Sequence, residues 1–152
     1  MQPQKTLKRK LKVSVNKQYL YSDLTDKIIK AAIEVHKQLG PGLVEKLYQR
    51  ALKIELARDL IKAEREKKLE LSYKGKEIGF DRVDFDVEGK VLVEIKAVSE
   101  LSDIHKAQMI SYLKSSKRNI GLLLNFAKMR LEVKRIILET ALTQRLQRLQ
   151  EK

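Results

Sequence analysis

The stretch from Arg82 to Lys96 constrains this chain more than any other. It reads Arg82-Val83-Asp84-Phe85-Asp86-Val87, then Glu88-Gly89-Lys90, then Val91-Leu92-Val93-Glu94-Ile95-Lys96. Two alternating β-branched segments around a short connection containing glycine predict a hairpin. That connection sets Val87 against Val91, and stepping back along both strands brings Asp84 opposite Glu94. Cross-strand Cβ atoms in such a pair lie about 5 Å apart, where like charges are destabilising. The side-chain period of two also puts Glu94 and Lys96 on one face and Val91, Val93 and Ile95 on the other. Two carboxylates pressed together beside an ammonium on an apolar scaffold call for a counter-charge, and a divalent cation supplies it best. The alternative use of the same residues is a half-buried hairpin with a wet polar face.

Composition narrows what that hairpin belongs to. The chain has 152 residues, which suits one domain, since domains cluster around ~100–150 residues. At 43% hydrophobic it can build a core, and its formal net charge of +13 points to a polyanionic partner. Nucleic acid comes first and an anionic membrane surface second. No run approaches the ~20 apolar residues of a membrane span. The N-terminus is basic without an apolar core segment, so it is not read as a secretory signal. The absence of cysteine excludes disulfides, thiolate chemistry and cysteine-held zinc, and suits a cytoplasmic protein. With only His36 and His105 as imidazoles, a metal here would be held by carboxylate oxygens, which favours Mg²⁺ or Mn²⁺.

Residues 1–20 carry six lysines and arginines without periodicity. They are read as a basic arm, with a short first strand (Leu11, Val13, Val15) as the alternative. A helix is predicted from Ser22, capped by Ser22 or Asp23, with Leu24, Ile28, Ala32, Val35 and Leu39 at helical spacing. Gly40-Pro41-Gly42 ends it. A second helix runs from about Val44 to Leu60, with Leu47, Ala51, Ile54 and Leu56 as its apolar positions. Residues 64–80 change to strand alternation, turn at Lys74-Gly75 and lead into the hairpin. Ser102-Asp103 caps a helix through about Ser115, with Ile104, Ala107, Met109 or Ile110, and Leu113 inward. Ile120–Asn125 reads as a strand buried on both faces, followed by a short strand at Leu131–Lys134. A C-terminal helix over 138–152 then carries a stripe of Leu138, Leu142, Leu146 and Leu149. The stripe is read as core packing before a dimer seam, which leaves a homodimer open. This order predicts an α/β (α+β) domain over 21–137: a mixed central sheet flanked by helices, with helix 104–115 crossing over to set Ile120–Asn125 beside the hairpin.

Further along the chain, Glu45 and Tyr48 share one helix face, as do Gln108 and Tyr112. Alone, the first pair would be a dipole-favoured acid and a packing aromatic, and the second a polar helix edge. Together, Gly42-x-x-Glu45-x-x-Tyr48, Asp84, Glu94-x-Lys96 and Gln108-x-x-x-Tyr112 resemble the GxxExxY group of the PD-(D/E)XK nuclease superfamily. The likeness covers roughly residues 24–137, with Val83 in place of the proline that often precedes the first aspartate. It implies a restriction-endonuclease-like fold. It also implies Asp84 and Glu94 as metal ligands, the Ile95 backbone carbonyl as a third oxygen, and Glu45 completing the site. Lys96 would orient the attacking water or stabilise phosphorane charge. Gln108 and Tyr112 resemble the QxxxY element of RecB-like nucleases, which with Tyr48 would lie near the nucleic-acid backbone. Asp86, facing Leu92, is read as a rim group, His36 as packing or capping the first helix, and His105 as a first-turn residue. The reading is a Mg²⁺- or Mn²⁺-dependent nuclease acting on DNA in preference to RNA. Its rival is a nonenzymatic nucleic-acid-binding protein that keeps the fold.

Overall fold

The computed structural model describes residues 21–139 and 148–149. The expected N-terminal arm and most of the expected C-terminal helix lie outside these residues. The elements are α1 (Ser22–Leu39), α2 (Glu45–Arg58), β1 (Ala63–Tyr73), β2 (Lys76–Val87), β3 (Val91–Lys96), α3 (Asp103–Ser116), β4 (Ile120–Asn125) and β5 (Glu132–Ile137). One five-stranded sheet takes the order β1-β2-β3-β4-β5. All neighbours are antiparallel except β3 and β4, which are parallel. The parallel pair requires a crossover, and α3 provides it, so the expected mixed sheet is the one observed.

The two faces of the sheet follow from the alternation of β3. Val91, Val93 and Ile95 turn to one side, where Ile28, Ala31, Ala32 and Val35 of α1 and Tyr48, Leu52 and Leu56 of α2 cover them. Leu92 turns to the other, against Met109, Tyr112 and Leu113 of α3. β4 is buried along its whole length on both sides, as its continuous apolar run predicts. Helix facing differs from expectation at several positions. In α2 the inward stripe is Tyr48-Leu52-Leu56, while Leu47 and Ile54 are exposed; the spacing of four selects one row, and those two fall off it. In α3, Met109, Tyr112 and Leu113 point inward and Ile104 is exposed. No Ser22 or Asp23 cap forms on α1, because Tyr21 occupies the N-cap position with φ 53°. Gly40 stops the helix as expected: with φ 69°, its N–H donates to the His36 carbonyl at 2.8 Å. Strand β5 runs to Ile137, and Leu138 donates its amide to Asn119 O at 2.8 Å, so the last helix does not begin at Leu138.

Candidate active site

The hairpin β2–β3 pairs Val87 with Val91, Asp86 with Leu92 and Phe85 with Val93, and the ladder stops there. On its other side β2 pairs Phe85 with Arg65 and Val83 with Lys67, skipping Asp84 and Glu66. Glu66 sits in the left-handed region, φ 55°, a backbone state unfavourable for a residue with a Cβ. Asp84 is thereby released from the ladder on both sides. Side chains fill the gap. The Asp84 amide donates to Glu94 Oε1 at 3.0 Å, and the Ile95 amide donates to Asp84 Oδ2 at 2.7 Å. Asp84 and Glu94 therefore meet where the hairpin register puts them, each carboxylate held by the other strand's main chain. Ile95 joins through its N–H.

Glu94 is 7% exposed. Burial first, and the charge of Asp84 second, push its carboxyl up to about 9. The Glu94 carboxyl therefore holds its proton more readily than a solvated glutamate does. Lys96 Nζ lies 3.9 Å from Glu94 Oε2 and donates to Gln108 Oε1 at 3.1 Å. Gln108, on α3, fixes the ammonium beside the carboxylates. From the opposite face, Gln49 donates Nε2 to Asp84 Oδ1 at 2.6 Å. Gln49 is 2% exposed and its Oε1 accepts no hydrogen bond. An orphaned buried acceptor is costly, and here it belongs to a side chain already bonded to Asp84. Sequence reasoning missed Gln49; its only signal was a polar residue next to Tyr48 on the buried row of α2.

Glu45 opens α2 and accepts the Ala97 amide on Oε2 at 2.9 Å, just past the end of β3. Among the described residues no three His, Asp or Glu side chains stand together as a metal-holding group. Tyr48 is fully buried, stacked on Phe126 with centroids 4.5 Å apart. Its hydroxyl donates to Gly40 O at 2.6 Å and accepts from the Leu43 amide at 3.1 Å. Tyr112 is buried too, donating to Asp81 Oδ2 at 3.0 Å. Burial and the Glu94 charge raise its hydroxyl above the usual tyrosine range. Both hydroxyls are engaged within the protein: Tyr48 braces the loop that presents Glu45, and Tyr112 anchors α3.

Neighbouring groups brace the same edge. Asn125, fully buried at the end of β4, accepts from the Val98 amide at 3.1 Å and donates to Val98 O at 2.8 Å, fixing the segment after Lys96. Asp86 pairs with Arg118 through two bonds, 2.9 and 3.3 Å. His36 packs on Phe126 and donates Nε2 to Lys128 O at 2.8 Å. His105 accepts the Ser102 amide on Nδ1 at 3.0 Å, a capping role. For a cation, the donors at hand are the carboxylates of Asp84 and Glu94. All are oxygens, and they fit a hard divalent ion.

A mixed sheet whose central hairpin ends in paired carboxylates and a lysine belongs to a broad class of α/β proteins with an acidic site at the strand ends. The comparisons specify it. A family profile of the PD-(D/E)XK nuclease superfamily matches residues 22–136, and the chain belongs to that superfamily. Among solved structures it is similar to SSO0001, at 24% identity and TM-score 0.51, covering 70% of this chain. The chain spans 56% of the length of SSO0001. It is also similar to an alkaline exonuclease from Laribacter hongkongensis, at 14% identity and TM-score 0.47, over 80% of this chain and 74% of that one. No curated protein matches the sequence. Among the described residues no helix is long and apolar enough to cross a membrane.

Proposed function

We propose that this protein is a Mg²⁺- or Mn²⁺-dependent nuclease of the GxxExxY group that hydrolyses phosphodiester bonds in DNA. The observation that carries the reading is the Asp84–Glu94 pair. Two interlocked carboxylates, one buried to 7% exposure, stand with the Lys96 ammonium 3.9 Å away. Asp84 and Glu94 would hold the cation, with Glu45 approaching from the start of α2. A cation bound there supplies Lewis-acid charge and a bound water of lowered pKa. Lys96, oriented by Gln108, places positive charge where the phosphoryl oxygens gain negative charge. Gln49 fixes the rotamer of Asp84. The all-oxygen donor set, the net charge of +13 and the superfamily membership all favour this reading.

One observation favours the rival, a nucleic-acid-binding protein without catalysis. Both oxygens of Asp84 already accept hydrogen bonds, and Glu45 spends one of its own on Ala97. Cleavage assays on supercoiled plasmid, linear duplex, single-stranded DNA and RNA, each with Mg²⁺, Mn²⁺ or EDTA, decide between them. Asp84→Asn keeps the shape and removes the charge, so metal binding and cleavage should both fall. Lys96→Ala should keep metal binding and lose about 100-fold in cleavage, the scale of one transition-state-stabilising group. Nucleic-acid affinity should stay near wild type in both. Tight binding with no metal-dependent cleavage of any substrate gives the case to the rival.

A further inference from the structure

Strands β1 and β2 are far longer than their neighbour. β3 pairs only with residues 85–87 of β2, whereas the β1–β2 ladder continues out to Tyr73 and Lys76. The outer part is a two-stranded arm, an element of marginal stability when left alone. One face of its base is covered: Leu69 and Val83 pack with α3, and Asp81 holds Tyr112. Beyond that cover, Tyr73, Ile78 and Phe80 are 62%, 68% and 51% exposed. Three large apolar side chains on one projecting hairpin are unusual for a solvated element.

The aromatics come paired with cations. Lys68 Nζ stands 4.5 Å from the Phe80 ring centroid, the Arg82 guanidinium 5.1 Å from it, and Lys74 Nζ 5.4 Å from the ring of Tyr73. Lys68 and Arg82 face each other across the ladder. The platform continues inward: Arg82 Nη1 donates to Glu66 O at 3.4 Å, Glu66 is ion-paired with Lys46, and Lys46 adjoins Glu45. Phe80 is four residues from Asp84, about 13 Å along a strand.

We propose that the β1–β2 arm is a binding platform for single-stranded nucleic acid. This deepens, and rests on, the nuclease reading of the neighbouring carboxylates. Phe80, on the face it shares with Lys68 and Arg82, offers ring surface to an unpaired base, while those two cations meet the adjoining phosphates. A duplex hides its base faces in its own stack, so the platform favours unpaired strands and frayed ends. A strand lying on it is led toward Asp84 and Glu94.

The test measures fluorescence anisotropy of labelled oligothymidylate and of a blunt duplex in EDTA, which removes cleavage from the readout. Phe80→Ala should weaken single-strand binding about tenfold while changing duplex binding less than twofold. Phe80→Tyr should restore it. Lys68→Gln, which leaves the rings in place, should weaken single-strand binding and reduce its salt dependence. Circular dichroism identifies any variant that fails to fold, and Lys68→Gln, which alters the cation over the Phe80 ring, then stands in for Phe80→Ala. Wild-type affinity in folded variants, or equal loss on both ligands, overturns the proposal. So does an affinity change that merely tracks a change from dimer to monomer. Loss of single-strand binding in these variants, with no cleavage by wild type in Mg²⁺, leaves the platform standing and removes the nuclease.

Discussion

At the residue scale the decisive group is Glu94. Its carboxyl, pushed up to about 9 from 4.5, binds its proton more tightly in the folded chain than in the unfolded one. Stability from this group is therefore present at low pH and lost as pH rises between 4.5 and about 9. The metal-free thermal midpoint should fall across that window, and Glu94→Gln should flatten the decline. A wild-type midpoint that is level or rising there, or an equal slope in the variant, contradicts the assignment. Mg²⁺ should counter the decline most strongly at the alkaline end, because the ion competes with the proton for the same oxygens. The meeting of Asp84 and Glu94 was legible from hairpin register alone, since a short connection and a period of two leave few alternatives. Gln49 was not legible. A helix row is ambiguous by one position, and only the packing of Tyr48 and Leu52 turns that residue inward.

At the scale of elements, the strand and crossover order followed from the sequence because each strand shows a clean alternation or a continuous apolar run. Helix facing did not follow as well. In α3, apolar residues occur all around the helix, so Ile104 was indistinguishable from Met109 until the sheet selected a side. What the sheet selected is a close approach. A Cβ placed on Gly121 of β4 would come 2.4 Å from Met109 Sδ and 2.7 Å from its Cγ. Met109 is itself fully enclosed and cannot swing into solvent. Gly121→Ala should therefore cost about 1–3 kcal/mol by overpacking, read as a lower denaturation midpoint with unchanged m-value. Restoration by Gly121→Ala combined with Met109→Ala would show that this one contact is responsible. Because α3 also carries Gln108, single-turnover cleavage by the variant should fall along with stability.

At the scale of the whole molecule, charge and shape act together. With a net charge of +13, nucleic-acid binding should be steeply salt-dependent. Each neutralised duplex phosphate contributes about −0.9 to the log–log slope. Titrations over a range of salt concentrations check this, and affinity independent of salt would rule out phosphate-led association. Removing residues 1–20 should flatten the slope if those cations share in it. The left-handed break at Glu66 has a consequence for the molecule in company. Among the described residues β1 ends the sheet, and a long, straight end strand would offer its main chain to any other sheet that approaches. Glu64, Arg65, Glu66 and Lys67 set four charges in a row on this strand, and the reversed φ of Glu66 interrupts its line. Charge and a local kink are the features that discourage one sheet from extending into the next. Among the described residues, the irregularity that frees Asp84 from the ladder thus also breaks the line of the sheet's border strand.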